Sequence, residues 1–409
     1  MKKKNIFLIF LIFVFLVICF FVNNLGEQYK KIEEIIPKLY VYGNLNDFVL
    51  KGDIRQVEVK YFSNDYNFEE FATLKIQGDS STLYDKKNFN IVFYSDKSYS
   101  SKKKIDVGFG KYSKYTLKAD WTDASKSRNV VTANLYKEAQ KKYDLLKNTL
   151  NNGVVDGYPI EIYVNDEFYG IYNLTTSKDY IYGLDEDNKN NLAIMGKEPD
   201  KIANFIELAD SKWESFEVEV GLEYEYSLSK LNRLISFVKD SDIEYFEENF
   251  DKYINLDSAL NYYCFIKFAE LFDNINKNLM LITYDGNYWY LTLYDLDLSW
   301  GVAFGGEYLL DYTDMLDSYI SESMLWSKFE VAFADEIVDR YFELRESILT
   351  KENILDKFYE YYNLIPESTF DKEIEKWGPL VGYGMDQIEE FLDTRIELVD
   401  EDIISMKSK

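Results

Sequence analysis

Short stretches of alternating apolar and polar residues dominate the first half of the chain. Successive side chains of a strand point to opposite faces, so this period of two predicts strands with one buried face. The predicted strands span residues 55–62, 71–76, 89–94, 115–120, 159–164 and 169–174. From about Ser125 the apolar spacing becomes helical, and Asp123 is a suitable N-cap for that helix.

The second half of the chain spaces its apolar residues mostly as helices do. The predicted helices span residues 256–272, 322–350, 352–364 and 385–400. The first of them is rich in aromatic residues and is predicted to be buried. Residues 183–225 are acidic and irregular, which indicates an insertion or a connection between lobes. The pattern predicts an α+β protein with a strand-rich lobe at 28–182 and a mostly helical lobe at 183–409.

An unbroken apolar run at residues 6–22 follows three lysines at the N-terminus. It has the minimum length for a helix that spans a bilayer, and no small-residue cleavage site follows it. An uncleaved signal-anchor at residues 1–27 is therefore favoured over a cleaved signal peptide. A lipoprotein at Cys19 is a weaker alternative, because bulky Ile18 precedes the cysteine. The lysines predict a cytoplasmic N-terminus, and hence a single-pass membrane protein with an extracytoplasmic catalytic domain.

Composition narrows the chemistry that the chain can perform. Its 409 residues include no histidine, which excludes Ser-His-Asp and Cys-His catalysis and histidine-ligated zinc. The formal net charge of −26 argues against nucleic acid as a partner and permits a basic protein substrate. One of the two cysteines, Cys19, lies in the apolar run, so neither a disulfide framework nor a cysteine metal site is expected.

The most informative stretch lies between residues 270 and 301. Asp273 follows the predicted buried helix, Asn278 follows Asp273, and a predicted hairpin then leads into Asp295 and Asp297. Phosphotransferases of the protein-kinase type place a base and two metal ligands in this order. Asp273 is therefore the candidate catalytic residue, and Asn278 and Asp295 are candidate ligands of Mg²⁺ or Mn²⁺. Asp297 is either a second metal ligand or a support.

The first half offers candidate phosphate contacts in the order of a kinase small lobe. The turn after the strand at 71–76 lets backbone amides approach phosphate oxygens, and Gly78 and Ser80 are its candidate residues. Lys118 ends an apolar strand directly before a helix, so it is placed to pair with the phosphates of ATP. Glu138 on that helix is the candidate carboxylate that holds Lys118. The simpler interpretation is that both are solvated charges.

Other basic residues near these strands complete the predicted nucleotide site. Arg128 lies near the start of the predicted helix, where it can hold either a phosphate or a structural carboxylate. Lys86 and Lys87 precede the strand at 89–94 and are second-choice phosphate contacts. The predicted nucleotide contacts are therefore Lys118, Lys87, Gly78, Ser80, Arg128 and Glu138.

Four blocks of sequence, in order over roughly residues 70–305, resemble the spore coat protein H (CotH) family of atypical protein kinases. The first is GDSS at residues 78–81, followed by paired lysines. The second is the strand and helix start YTLKADWTDASKSRN, and the third is the hairpin IEIYVNDEFYGIY. The fourth joins Asp273 and Asn278 to the stretch DLDLSWG, which begins at Asp295.

The resemblance implies a two-lobed, kinase-like fold that binds ATP with a divalent metal ion. It implies phosphorylation of serine or threonine on proteins, and association with a spore coat or envelope. Carried over by position, Asp273 becomes the catalytic Asp, and Asn278 and Asp295 become metal ligands. We expect the protein substrate to be basic and rich in serine.

Two residues depart from the family's pattern. Asp79 stands where an amide is expected, and Thr176 stands where a glutamate is expected. An acid beside phosphates is unfavourable unless a cation compensates it. The alternative function is therefore a catalytically weak or inactive, membrane-tethered scaffold in coat assembly. A third hypothesis is phosphotransfer to a small molecule or carbohydrate, because acceptor pockets leave little trace in a sequence.

Overall fold

Strands of the first half build a closed barrel in the computed structural model, which describes residues 36–221, 224–306 and 313–407. The predicted membrane anchor at residues 6–22 lies outside these ranges. The strands of this half are β1 (Lys38–Tyr42), β2 (Ile54–Phe62), β3 (Asn67–Gln77), β4 (Asn88–Tyr94), β5 (Ile105–Asp106), β6 (Lys111–Tyr112), β7 (Lys114–Lys118), β8 (Gly157–Val164) and β9 (Glu167–Thr176).

The barrel follows the strand order β1-β2-β3-β4-β7-β9-β8. Its neighbouring strands are antiparallel except β1 and β8, whose parallel pairing places Val41 opposite Val164 and closes the barrel. Alternate residues point inward, and β4 buries Phe89, Ile91 and Phe93 in this way. The six strands predicted from alternation are all present, and β1 is an additional strand.

A four-stranded antiparallel sheet in the second half has the order β11-β10-β12-β13. Its strands are β10 (Leu192–Gly196), β11 (Phe216–Val220), β12 (Met280–Thr283) and β13 (Trp289–Thr292). The first two fall within 183–225, so the interpretation of that segment as irregular is wrong there. β10 is buried along its whole length and shows no alternation, and β11 alternates over one short stretch within an acidic region.

Helices make up most of the remaining structure. In the described residues they are α1 (Arg128–Lys142), α2 (Lys178–Ile181), α3 (Tyr224–Asp240), α4 (Ile243–Asn249), α5 (Leu256–Phe268), α6 (Thr313–Glu322), α7 (Met324–Ala332), α8 (Ala334–Arg345), α9 (Lys351–Tyr362), α10 (Glu367–Trp377) and α11 (Met385–Met406). Within the described ranges, none of them combines the length and the apolar surface needed to cross a bilayer.

The helix predicted at 322–350 is wrong as a single element, because the chain breaks between α7 and α8. Phe333 lies at this break and buries its ring against Phe250 and Phe329. The sequence also failed to predict α10, whereas α5 is buried over nearly its whole length, as predicted.

Helix α10 joins the helical part of the molecule to the barrel through buried polar contacts. Glu373 accepts hydrogen bonds from Lys86 Nζ at 2.5 Å and from the N–H of Ile171 at 2.8 Å. Trp377 Nε1 donates to the carbonyl oxygen of Tyr169 at 2.7 Å. Burial lowers the pKa of Lys86 to about 8, although the attraction of Glu373 opposes this change.

Candidate active site

A cavity of about 460 Å³ lies between the barrel and the second sheet. Strands β3 and β7 and the turn after β3 form one side of it. The end of β10, strand β11 and the segments that follow α5 and β13 form the other side. The predicted site residues that line it are Gly78, Lys118, Asp273, Asn278, Asp295 and Asp297.

Asp273 lies in a 3₁₀ turn, Phe272–Asn274, shortly after the buried helix α5. Its side chain is 25% exposed and forms an ion pair with Lys277 at 3.2 Å. Burial raises the pKa of the Asp273 carboxyl, and the Lys277 ammonium offsets part of that rise. A carboxylate held in this way at a cavity wall can accept a proton from a hydroxyl group.

Asn278 reaches the same cavity because the chain around it is held against the end of β10. The N–H of Asn278 donates to the carbonyl oxygen of Gly196 at 2.8 Å. The N–H of Gly196 donates to the carbonyl oxygen of Leu279 at 2.9 Å. A Cβ on Gly196 would lie 1.8 Å from the carbonyl oxygen of Asn276. Only glycine therefore permits this close approach. Sequence reasoning missed this residue.

Lys118 and Asp295 form an ion pair at the cavity wall, with 2.7 Å between Nζ and Oδ1. Lys118 is the last residue of β7 and is nearly buried, whereas the Asp295 side chain is about one-third exposed. Burial opposes both charges, but their mutual attraction outweighs it. The pKa of Asp295 is therefore lowered and that of Lys118 is raised, so both groups are charged at neutral pH.

Asp297 lines the same cavity, although no strand continues to it, because β13 ends at Thr292. Burial and the negative charge of Asp295 raise the pKa of Asp297 to about 8. Two neighbouring carboxyl groups that do not readily ionise together favour a cation between them.

The oxygen atoms at this wall suit a hard divalent cation, which prefers carboxylate and amide oxygen ligands. Asn278, Asp295 and Asp297 would hold Mg²⁺ or Mn²⁺, with Asp273 nearby. Among the described residues, no three acidic, cysteine or histidine side chains already surround one point. Asp295 Oδ1 already accepts a hydrogen bond from Lys118, so a cation would share this carboxylate with the lysine.

Additional lysines make the cavity suitable for phosphate groups, and sequence reasoning singled out none of them. Those that line the cavity are Lys51, Lys75, Lys114, Lys178, Lys197 and Lys277. Lys178 pairs with Glu219, and its ammonium lies 5.4 Å from the ring centroid of Tyr294. Lys118 lies 5.9 Å from the same ring centroid. No single spacing in the sequence could reveal the group, because different elements supply its members.

The turn after β3 has the conformation that a phosphate-binding turn requires. Gly78 has a φ of +107°, and a Cβ there would lie 2.0 Å from Ser81 Oγ. Asp79 pairs with Lys51 at 2.5 Å, so a cation compensates the acid at this position. Ser80 begins a 3₁₀ turn, and its side chain lies outside the described part of the structure.

The prediction that Glu138 holds Lys118 is wrong. Glu138 pairs with Lys357 of α9 at 2.6 Å, because this face of α1 meets α9 and not the cavity. Asp295 takes the role that the sequence assigned to Glu138.

Arg128 holds a structural carboxylate, so its prediction as a nucleotide contact is wrong. It is fully buried and pairs with Asp123, which is also buried. Its guanidinium also donates to Gln387 and, at 2.8 Å, to the carbonyl oxygen of Tyr383. Arg128 therefore connects the start of α1 to α11. The prediction of Asp123 as the N-cap is wrong, because Ser127 occupies that position, but Asp123 Oδ2 accepts the N–H of Arg128 at 2.9 Å.

Lys87 also has a structural role and is wrong as a phosphate contact. Its Nζ donates to the carbonyl oxygens of Tyr84 and, at 2.8 Å, Thr82, so it stabilises the turn itself. Thr176, at the end of β9, is buried and accepts the N–H of Asp156 at 3.0 Å. These contacts hold the framework around the cavity.

Comparison with known families decides the relationship of the chain. A family model described as CotH kinase protein matches residues 74–399. The chain belongs to the CotH kinase family. The resemblance drawn from four blocks of sequence is thereby confirmed, and the match runs from β3 to α11 and includes most of the cavity lining. No curated protein matches the chain significantly. As a CotH kinase family member with a mixed α/β fold, the chain is a kinase-like protein.

Proposed function

We propose that this CotH kinase family member is an atypical protein kinase. It transfers the γ-phosphate of ATP to serine or threonine hydroxyls of proteins, and the reaction depends on Mg²⁺ or Mn²⁺. One observation carries the proposal: Asp273, Asn278, Asp295 and Asp297 line one cavity together with Lys118. Separate elements supply them, and they are the groups that phosphoryl transfer needs.

Each residue has a role that follows from its surroundings. Asp273 orients the acceptor hydroxyl and takes its proton, and Lys277 favours the ionised form that can do so. Asn278 and Asp295, supported by Asp297, hold the cation, which would neutralise charge on the β- and γ-phosphates. Lys118 pairs with phosphate oxygens, and backbone amides after Gly78 approach them from the other side.

The charge distribution supports a basic, Ser-rich protein substrate. The chain carries a net charge of −26, and Asp179, Glu217 and Glu219 add acids to the cavity lining. Coat or envelope proteins fit this description and accord with the family resemblance. The apolar run at residues 6–22 supports attachment to a membrane with the catalytic part outside the cytoplasm.

Nucleotide binding is the direct test of this function. ATP with Mg²⁺ or Mn²⁺ should raise the melting temperature of the purified protein, and EDTA should abolish the rise. At an ATP concentration of 100 times Kd, the expected stabilisation is about 2.7 kcal/mol. Asp295→Ala should lose the effect. Asp210→Ala is the matched control, because the Asp210 side chain accepts the N–H of Lys212 in an exposed turn.

A scaffold without catalysis is the second candidate function. It is favoured by Thr176, where a threonine that bonds Asp156 replaces the expected carboxylate. A wild-type protein that binds no ATP with either metal would support the scaffold. Binding without transfer of labelled phosphate to basic Ser-rich proteins would instead direct the search to small-molecule or carbohydrate acceptors.

A further inference from the structure

Asp295 has a backbone conformation that residues other than glycine rarely adopt. Its φ is +57°, in the left-handed region, which costs free energy for a side chain with a Cβ. Strand β13 does not impose this conformation, because it ends at Thr292. Contacts from elsewhere must hold the backbone, and they determine where the Asp295 carboxylate lies.

The peptide before Asp295 is held by Asn274. Asn274 Nδ2 donates to the carbonyl oxygen of Tyr294 at 2.9 Å, and a carbonyl partner identifies the donating atom as the amide nitrogen. Asn274 is fully buried in the turn that carries Asp273. The carbonyl oxygen of Asn274 accepts the hydroxyl of Tyr262 at 2.5 Å, so helix α5 fixes its position.

The peptide after Asp295 is held by Asn129. The N–H of Leu296 donates to Asn129 Oδ1 at 3.2 Å, so here the amide supplies its oxygen. Asn129 is 2% exposed and lies in the first turn of α1. Its neighbour Arg128 anchors that turn through the buried pair with Asp123.

Asn274 has a feature that stability alone does not explain. Its Oδ1 has no hydrogen-bond partner among the described residues, although it is buried. A buried acceptor without a partner destabilises a fold, and an apolar side chain of similar size would avoid this cost. The bond from Nδ2 to the peptide of Tyr294 accounts for an amide at this position.

We propose that Asn129 and Asn274 are positioning residues for Asp295. Together they form a clamp that grips the peptides on both sides of Asp295 and maintains its left-handed backbone. Because Asn274 follows Asp273 directly, the clamp also fixes the metal ligand relative to the catalytic base. The nature of the cation rests on the proposed function, whereas the clamp rests on the hydrogen bonds.

The first test removes each amide. Asn274→Leu and Asn129→Leu should each weaken Mn²⁺ binding by the full chain about 10–100-fold, as loss of groups that orient metal ligands does. Mn²⁺ affinity is measured by electron paramagnetic resonance with a non-hydrolysable ATP analogue. Asn191→Leu is the matched control, since Asn191 is buried and donates to the carbonyl oxygen of Tyr284 at 2.9 Å. It should bind Mn²⁺ as the wild type does.

The second test uses the opposite polarity of the two hydrogen bonds. Asn129→Asp keeps an acceptor for the N–H of Leu296, so it should bind Mn²⁺ more tightly than Asn129→Leu. Asn274→Asp replaces the donor by an acceptor that faces a carbonyl oxygen, so it should bind at least as weakly as Asn274→Leu. If the leucine variants fail to fold, these aspartate variants decide the matter.

The outcomes separate the clamp from the proposed function. Wild-type affinity in both leucine variants, or an equal loss in Asn191→Leu, would overturn the clamp. Aspartate variants that lose affinity equally would overturn it too, because the polarity of the two hydrogen bonds would then not matter. If the wild type binds no Mn²⁺, the proposed function fails and a crystal structure of Asn274→Leu decides the clamp. A negative φ at Asp295 would support it, and an unchanged φ would refute it.

Discussion

Asp273 and Asp295 have the same side chain and line the same cavity, yet their surroundings shift the pKa values of their carboxyl groups in opposite directions. Burial raises the pKa of Asp273, whereas Lys118 overcomes burial and lowers the pKa of Asp295. A carboxylate with a raised pKa is the better proton acceptor, and one with a lowered pKa remains charged for a cation. These opposite shifts accord with the roles proposed for Asp273 as the base and for Asp295 as the metal ligand.

Replacing Asp273, the proposed base, should abolish most phosphate transfer while leaving ATP binding intact. Asp273→Asn keeps the size of the side chain and removes its capacity to accept a proton. We expect kcat for protein phosphorylation to fall about 10²–10⁴-fold. The rise in melting temperature with ATP and Mn²⁺ should persist, because Asn278 and Asp295 are intact. Phosphorylation at the wild-type rate in Asp273→Asn would show that another group takes the proton.

Gly196 allows a sharper test of backbone geometry. Gly196→Ala places a Cβ against the carbonyl oxygen of Asn276 and should push the segment that carries Asn278 away from β10. We expect a loss of about 1–3 kcal/mol in the free energy of unfolding, together with weaker Mn²⁺ binding. Urea denaturation and Mn²⁺ titration measure the two effects.

Gly384→Ala is the matched control for Gly196→Ala, because a Cβ at Gly384 meets nothing within 4 Å. It should change neither the free energy of unfolding nor the affinity for Mn²⁺ appreciably. If Gly196→Ala behaves in the same way, the approach of β10 does not set the position of Asn278.

At the residue scale, the sequence identified the side chains whose order along the chain is itself informative. Asp273, Asn278, Asp295 and Asp297 could be placed because their spacing is typical of phosphotransferases. The position of Glu138 could not be predicted, because helical spacing shows which residues share a face of the helix but not which element packs against that face. The Gly196 contact joins distant segments through backbone atoms, and no side-chain pattern encodes such a contact.

At the element scale, the contacts that attach α10 to the barrel include one buried ion pair, Lys86 with Glu373. Lys86 and Glu373 are both almost completely buried, so removing one partner leaves an uncompensated charge. Lys86→Met and Glu373→Leu should each lower the free energy of unfolding by about 3–5 kcal/mol. The double variant should lose much less than the sum, which urea denaturation of the four proteins would show.

The control for this cycle is an exposed pair between neighbouring strands. Lys60 of β2 and Glu69 of β3 lie 2.9 Å apart, with side chains 39% and 68% exposed. Their coupling should be about 1 kcal/mol or less. Additive losses at Lys86 and Glu373 would mean that packing, and not the ion pair, attaches α10.

Strands and helices were predictable where one face of the element is exposed to solvent and the other face is buried. Strands β2, β3 and β4 alternate because the barrel has an interior and an exterior, whereas β7, β8 and β9 are buried over several consecutive residues. β10 escaped prediction because both of its faces are buried, and the break at Phe333 escaped because helical spacing continues on both sides of it. Closure of the barrel by β1 depends on a partner strand far along the chain, which local patterns do not reveal.

At the scale of the whole molecule, a strongly acidic protein surrounds a cavity lined with lysines. In the proposed function, the overall charge of −26 would attract a basic protein, while the cavity lysines would receive the phosphate groups of ATP. Salt should therefore act on the two substrates differently, because the Debye length shortens from about 10 Å at 0.1 M to about 3 Å at 1 M.

Raising the NaCl concentration from about 0.05 to 0.5 M should raise KM for a basic Ser-rich peptide several-fold. Steady-state assays at saturating ATP give this value, and a neutral peptide with the same acceptor serine is the control. Equal changes for both peptides would show that the acidic surface does not select the substrate.

The parallel pairing of β1 with β8 affects how the protein folds during synthesis and how it responds to mechanical force. Lys38 of β1 lies opposite Glu161 of β8, which is far along the chain. The ribosome therefore releases β1 long before it has synthesised β8, the second strand that pairs with β1. In that interval β1 can pair with β2 alone, and its other edge is open to unwanted strands. Once β1 has paired with β8, a mechanical force applied to the chain before Pro37 acts along β1. This force shears the hydrogen bonds of β1 with β2 and with β8 together. The parallel pairing that closes the barrel is therefore among the first to bear tension from the N-terminal side.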